Sequence, residues 1–572
     1  MKLIIEYIGR YKRPFLIAVF FLTIETLADL LQPTFMSYIV DKGVEQNDVG
    51  QIFRYGVIML IIAAVGAMGA VMRNIFASKT SQQIGRELRG DIYKKVMGLS
   101  FENIDRLAPA SIITRITNDV TQIQNFINGT MRIMMKAPIT CIGAIVLIVL
   151  QTPQQIPTLI LILCISFAFI GANMLLGYPR FGKLQRCLDK LNTVSREFLS
   201  SIRVVKAFGG QAQEQQKFDS AANDFAGAGV SAMRVSAVFM PLINLTVNMG
   251  IVILLWLSQN QQSGQIGRLM ASVNYMTQIL FSLGMVSRIL NTAVRATASA
   301  SRVQEIFDEV PVQKNGTIVD KEKGGASEIR FEDVTFSYAE AANPAIEHVS
   351  FTAKPGETIG IIGPTGCGKS SLVQLVPRFY DAEKGGIYVD RIDVKEWDME
   401  SLRQRVGVAP QKPTLFTGTI LQNLRWGNEN ASMDDIHAAA EIACVDEIVS
   451  NLPQGYETRL GQNGVNLSGG QKQRISLARA LMKKPGILIL DDCTSALDAT
   501  TEAKVLKGLR ENVGNMTVLL ISQRISTVMR ADKILCIEDG KVQGFGTHQE
   551  LMKNCKIYQA IYDSQIGGVR NG

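Results

Sequence analysis

The sequence predicts an all-α six-helix transmembrane domain followed by an α/β domain built around a P-loop. Three observations carry this: six long apolar stretches lie before residue 290, the basic excess lies in the same part, and Gly363–Ser370 reads GxxxxGK[ST]. Of 572 residues, 47% are hydrophobic and 19% charged, against about 25% charged in an average soluble protein. That composition excludes a disordered chain, a collagen and a small disulfide scaffold. Up to Asp320 there are 30 basic and 20 acidic residues, and beyond it 29 and 31, so the net charge of +8 comes from the apolar part. Basic residues beside apolar runs are membrane-flanking charge, and no nucleic acid is expected as a partner.

A helix crosses the hydrocarbon with about 20 apolar residues, and Pro14–Val40, Tyr55–Ala77, Met131–Leu150, Pro157–Gly177, Val235–Leu257 and Leu269–Ile289 come close to that. The first run passes signal-peptide length without a small-residue cleavage site, so it reads as an uncleaved span. Residues 1–13 read as an amphipathic interfacial helix with Leu3, Ile4 and Ile8 toward lipid. In the third span, Arg132 and Lys136 are expected to snorkel at the cytosolic end. Segments 41–50, 151–156 and 258–267 hold Lys42 as their only basic residue, whereas 78–130 and 178–234 are rich in Lys and Arg. The latter two, and both chain ends, are therefore expected in the cytosol.

Those two inside segments carry helical periodicity, in runs such as SQQIGRELRGDIYKKVMGL, so the spans are expected to project from the membrane as long helices. Glu25 and Asp29, four apart, share one face of the first span. Ionisable groups at that depth face a cavity or a partner. The pair therefore either lines a substrate cavity that attracts cations or ties a neighbouring helix. A segment rich in small and charged residues, ATASASRVQEIFDEVPVQKNGTIVDKEKGGASE, places the domain boundary near residue 320, giving domains 1–320 and 321–572.

Beyond it, short β-rich runs alternate with helices (EIRFEDVTFSY, ETIGIIG, GIYVD, GILILDD, MTVLLIS, DKILCIEDGKV), which predicts a mostly parallel sheet. ETIGIIG runs into GPTGCGKSSLVQLV, the strand–loop–helix context that a phosphate-binding loop requires. Its backbone N–H groups suit phosphate oxygens, Lys369 the β/γ oxygens and Ser370 a Mg²⁺ ion. The strand GILILDD ends in Asp491, a second Mg²⁺ ligand candidate, and LSGGQ at 467–471 opens a helix whose N-terminus favours an anion. The eight cysteines lack paired short spacings, so reduced thiols are expected, with neither a zinc site nor a disulfide framework.

With LSGGQ, Gln411 in VAPQKPTLF, SALD at 495–498 and Tyr338 ahead of the P-loop, the chain resembles the ATP-binding cassette (ABC) family, and with six spans a half-size ABC exporter. The resemblance covers essentially the whole chain. SFENIDRLAPASIITRITNDV and REFLSSIRVVKAFGGQAQEQQKF resemble the two cytosolic loops whose short coupling helices press on the cassettes. It implies ATP and Mg²⁺ as cofactors and a dimer that sandwiches two ATP molecules. The implied ATP site is Tyr338, Gly363, Pro364, Thr365, Gly366, Cys367, Gly368, Lys369, Ser370, Ser371, Gln411 and Asp491. Tyr338 would stack on adenine, and Ser370, Gln411 and Asp491 would serve Mg²⁺. Leu467, Ser468, Gly469, Gly470 and Gln471 would face ATP held by the partner, and Asp498 would cross the dimer interface.

Two positions depart from the family pattern. Asp492 stands where the family has the glutamate that positions attacking water, and Gln523 where it has a histidine contacting the γ-phosphate. A displacement of about 1 Å can cost about 10²-fold in rate, and loss of a general base about 10²- to 10⁴-fold. Glutamine also has no titratable proton. The resemblance therefore extends to heterodimeric bacterial multidrug exporters, in which one site is degenerate. It implies an ATP-hydrolysing translocase slow at its own site, paired with a second half-transporter chain whose site is competent. The implied setting is a multi-pass protein of the bacterial plasma membrane, in contact with lipid, moving amphipathic small molecules outward. An ATP-gated regulatory or channel-like subunit is the alternative, and a soluble cassette of the DNA-repair type is excluded by the spans.

Overall fold

The computed structural model describes residues 1–257, 266–320, 325–339, 341–512 and 516–566. It divides into two units, Met1–Lys95 with Ala110–Asp308, and Val96–Pro109 with Glu309–Gly572.

The first unit is helical: α1 (Lys2–Arg10), α2 (Lys12–Tyr38), α3 (Val49–Met97), then, after α4 (Phe101–Leu107), α5 (Pro109–Thr114), α6 (Val120–Gly129), α7 (Lys136–Gln151), α8 (Ile156–Ala207), α9 (Gln211–Leu257) and α10 (Ile266–Asp308). Among the described residues, five segments are long and apolar enough to span a membrane: Lys12–Val44, Val49–Met97, Pro109–Gln151, Ile156–Ala207 and Gln211–Ile253. The sixth expected span, Leu269–Ile289, lies within α10. Its side chains at 283, 284 and 286–289, like the expected outer loop at 258–265, fall outside the described residues.

The polar segments are continuous with the spans. With 52 residues, α8 is about 78 Å long, well beyond about 30 Å of hydrocarbon. It meets α9 at residues 208–210, where Gly209 takes φ +65°, the left-handed conformation that closes a helix end. The second of the loops expected in the cytosol is thus a tight turn, without the separate short helix that the resemblance implies. Leu30, Ala144, Ile148, Leu159, Tyr275 and Met276 form a core that joins α2, α7, α8 and α10. The Tyr275 hydroxyl donates to the Leu30 carbonyl at 3.0 Å and lies 2.6 Å from Thr34 Oγ1.

Two local expectations are corrected. Leu3 and Ile4 of α1 are buried against protein and not turned to lipid, because Tyr7 bonds Asp91 and Arg10 pairs with Glu87 and Asp91, which lays the helix on α3. Lys136 does not snorkel; it pairs with Glu25 and Asp29, which removes the need to reach the headgroups.

The second unit is α/β with two main sheets. Strands β1 (Ile329–Phe336), β2 (Ile346–Ala353), β4 (Lys384–Val389) and β5 (Ile392–Asp393) form an antiparallel sheet in the order β2–β1–β4–β5. Strands β3 (Thr358–Ile362), β6 (Val406–Ala409), β9 (Ile487–Asp491), β10 (Thr517–Ile521), β11 (Lys533–Glu538) and β12 (Lys541–Gly546) form the other, in the order β12–β11–β3–β10–β9–β6. That sheet is parallel apart from its β11–β12 edge hairpin. A short pair, β7 (Gly418–Thr419) with β8 (Arg459–Leu460), completes the set. The expected mostly parallel sheet is thus the six-stranded one, while EIRFEDVTFSY and GIYVD belong to the antiparallel sheet. β3, β9 and β10 are almost wholly buried, the mark of strands covered on both faces.

Candidate nucleotide site

The C-terminal ends of β3 and β9 bring the predicted residues together, the usual place for ligands in an α/β sheet. After β3 the loop turns through Gly366 and Gly368 at φ +85° and +97° and enters α11 (Lys369–Gln374). A Cβ at Gly363 would come within 2.0 Å of the Ile537 carbonyl oxygen, and one at Gly368 within 2.3 Å of that of Ala345. The glycines therefore let the loop lie against β2 and β11. The Lys369 ammonium is buried and donates to the carbonyls of Gly363 (2.9 Å) and Pro364 (2.7 Å), with Cys367 Sγ at 3.7 Å. A buried cation whose hydrogen bonds end on neutral carbonyls fits an anionic phosphate.

Asp491, at the end of β9, accepts a hydrogen bond from Ser370 Oγ at 2.9 Å. Asp492 follows at φ +45°, and its Oδ2 accepts from Gln411 Nε2 (3.5 Å) and Gln523 Nε2 (3.4 Å). Both carboxylates are more than nine-tenths buried. Burial pushes both above the ordinary aspartate range, opposed by Ser370 at Asp491 and by Gln411 at Asp492. Among the described residues neither forms an ion pair. Buried carboxylates bonded only by neutral donors fit a divalent cation. Tyr338 stands beside α11, its hydroxyl 3.0 Å from Ser371 Oγ and 3.4 Å from Gln374 Oε1.

LSGGQ lies apart from this cluster. Ser468 caps the helix Gly469–Leu481 in a reciprocal box: its Oγ accepts from the Gln471 N–H at 3.3 Å while Gln471 Oε1 accepts from the Ser468 N–H at 2.9 Å. Leu467 is buried beneath it. A Cβ at Gly470 would come within 2.9 Å of the Ala496 carbonyl oxygen, so this glycine lets the signature pack on SALD. Asp498 caps the helix Ala499–Asn512 through the N–H groups of Thr500 and Thr501.

Sequence reasoning missed the support of this site. Glu502, buried, accepts from Thr494 (2.8 Å), Thr527 (2.9 Å) and Arg524 (2.7 Å), joining the segments after β9 and β10 that carry Asp492 and Gln523. Gln473 bonds Ser495 and Ala496. No local pattern marks either residue.

In the first unit, Glu25 and Asp29 do meet partners. Lys136 Nζ lies 2.7 Å from Glu25 Oε1 and 2.8 Å from Asp29 Oδ2, and Arg73 Nη1 lies 3.0 Å from Glu25 Oε2. α2, α3 and α7 are thereby tied through charges.

A helical membrane unit followed by a nucleotide-binding α/β unit, with P-loop, aspartate pair and signature helix in one chain, defines an ATP-driven half-transporter. Residues 15–283 match the family model for the ABC transporter transmembrane region, and residues 346–495 that for the ABC transporter. The chain belongs to the ABC transporter family. It is 39% identical over 555 residues, 96% of each chain, to the "Uncharacterized ABC transporter ATP-binding protein YfiB" of Bacillus subtilis. It is 29% identical to the "ATP-dependent lipid A-core flippase" of Pseudomonas aeruginosa over 521 residues, 90% of this chain and 86% of the relative. A solved structure described as that of a bacterial Atm1-family ABC exporter with ATP bound shares the fold, with a TM-score of 0.79 at 24% identity over 97% of this chain and 98% of that one.

Proposed function

We propose that this chain is one subunit of a heterodimeric exporter of the bacterial cytoplasmic membrane, with both termini in the cytosol, that moves amphipathic compounds outward. Its own site binds ATP and hydrolyses it slowly, and its signature completes a competent site on the partner. The observation that carries this is the meeting of Gln411 and Gln523 on Asp492: the position for a general base holds a short carboxylate, and the position for a histidine holds an amide. Neither glutamine titrates.

Lys369 and the backbone N–H groups of Gly363–Ser370, Pro364 apart, would hold the phosphates, and Ser370, Gln411 and Asp491 would hold Mg²⁺, which when bound neutralises charge on the phosphate oxygens. Tyr338 supplies an aromatic face for adenine, and Ser371 holds its hydroxyl. Ser468 and the helix behind it offer their donors to ATP held by the partner, where such groups stabilise developing phosphate charge. The relative named as a lipid A-core flippase supports a lipid-like or amphipathic substrate.

The test is purification of the tagged chain from its own membranes. A co-purifying second half-transporter with glutamate and histidine at the positions equivalent to Asp492 and Gln523 is expected. Recovery of this chain alone as a homodimer with ordinary ATPase would refute the reading.

A further inference from the structure

We propose that Gln565, the last residue of the helix Lys556–Gln565, is a positioning residue for Gln523 and thereby sets how strongly this chain's own site tells ATP from ADP; the proposal rests on the reading of Gln523 as standing at the γ-phosphate. All the groups involved belong to the second unit.

The Gln565 amide closes on the backbone on both sides of Arg524. Its Nε2 donates to the Gln523 carbonyl at 2.8 Å, and its Oε1 accepts from the Ile525 N–H at 2.8 Å. That N–H opens the short helix Ile525–Val528 and has no partner within it, and the capping residue, Arg524, carries no side-chain acceptor. Gln565 supplies one from 40 residues further along the chain. The two bonds hold the peptide planes that flank Arg524. The first of these is the peptide that leaves Gln523, so it orients the Cα from which the Gln523 side chain starts. Gln565 is itself delivered by a packed helix: Tyr558, Ile561, Tyr562 and Ile566 join Ile525 and Val528 in one apolar cluster, and the Tyr558 hydroxyl lies 2.7 Å from His548 Nδ1.

The neighbouring ties fix Arg524 rather than Gln523. Arg524 pairs with Glu502, donates to the Ser495 carbonyl at 3.3 Å, and gives its N–H to Ser522 Oγ at 3.0 Å. The Gln523 side chain reaches Asp492 Oδ2 only at 3.4 Å, a long contact that does little to aim it. Its direction therefore rests on the backbone beneath it, and the carbonyl of that backbone is met by Gln565. A donor already held in place binds an anion better than a loose one, because the ordering is done before the ligand arrives. A hydrogen bond from Gln523 to a γ-phosphate oxygen is one that ADP cannot accept. Loosening Gln523 thus weakens ATP binding and spares that of ADP.

Equilibrium binding of Mg·AMP-PNP, which is not hydrolysed, and of Mg·ADP to the full chain in lipid nanodiscs tests this. The unaltered chain is expected to favour AMP-PNP. Gln565→Leu, of similar size but without donor or acceptor, should cut that preference by about threefold or more while ADP affinity stays within about twofold. Gln565→Glu, which keeps an acceptor for Ile525 but sets a carboxylate against the Gln523 carbonyl, should cut it at least as much. Adding Gln565→Leu to Gln523→Ala should change nothing further, because Gln565 acts through Gln523. No preference in the unaltered chain, a full preference in Gln565→Leu, equal weakening of both ligands, or additive losses in the double variant would overturn the proposal. Gln523→Ala separates the two readings. If it leaves the preference intact, the γ-phosphate contact fails and the positioning with it; if it cuts the preference while Gln565→Leu keeps it, the positioning alone fails.

Discussion

Two of the carboxylate pairs among the described residues, Glu25 with Asp29 and Asp491 with Asp492, are met in opposite ways. Glu25 and Asp29 on α2 are met by Lys136 and Arg73. Asp491 and Asp492 after β9 are met by a serine hydroxyl and two glutamine amides, all neutral. A carboxylate already paired with a cation gains little from another; one bonded only by neutral donors carries an uncompensated charge and favours a cation when one arrives. The comparison thus separates carboxylates compensated by cations within the fold from carboxylates bonded by neutral groups alone, although each is only a pair of acids when read along the sequence.

The largest effect is expected where the compensation is complete. Lys136→Met leaves Asp29 unpaired and Glu25 with Arg73 alone, a loss whose upper bound is about 3–5 kcal/mol, the cost of breaking a fully buried pair. Thermal unfolding of the full chain in lipid nanodiscs should show a fall in Tm; an unchanged Tm would mean the pairs tie nothing. In the same spirit, Glu25→Gln with Asp29→Asn should lower efflux of a matched cationic and neutral dye together. Selective loss of the cationic dye would instead restore a cation-attracting cavity.

The second expectation sets the signature against the chain's own aspartate. Ser468→Arg should cut ATPase of the assembled pair by about 10²- to 10³-fold, the scale for losing one transition-state donor. Asp492→Asn should leave it within about twofold of the unaltered pair, because the proposed reading assigns little turnover to its site. Steady-state ATPase on the co-purified complex gives both values, and comparable losses from the two changes would remove the division of labour.

The smallest effect sharpens the electrostatic contrast. Burial raises the Asp491 carboxyl, so its protonated form favours the folded state. That stability is present below the unfolded value, near pH 4, and is lost as pH rises through the native value. Asn has no such loss. Without Mg²⁺, the unaltered chain should therefore become progressively less stable than Asp491→Asn between about pH 4 and pH 7. Denaturant midpoints across that range check the sign, and Mg·ATP should reverse it.

How much of this was legible depends on the sequence separation of the groups. The P-loop was readable because Gly363–Ser370 is contiguous and its backbone needs glycine at fixed places. Asp491 and Asp492 were readable because an apolar strand stops at them. Tyr338 and Gln411 are single letters that gained meaning only from the family resemblance. Glu502 and Arg524, or Gln565 against the Gln523 carbonyl, gave no signal. Gln565 and Gln523 are 42 residues apart, and their contact exists only after the fold forms. The same holds for the membrane unit: the acidic face of α2 could be read from i,i+4 spacing, but its partners come from α3 and α7. The antiparallel sheet went unseen because alternation predicts a strand and not which strand it pairs with.

The central claim is that this chain's own nucleotide site is degenerate, and steady-state ATPase of the purified single chain in lipid tests it most directly. The expected result is Mg·ATP binding with very slow turnover, raised by about 10²-fold in the double variant Asp492→Glu with Gln523→His. Brisk hydrolysis by the unaltered chain, with no gain in the double variant, would contradict it.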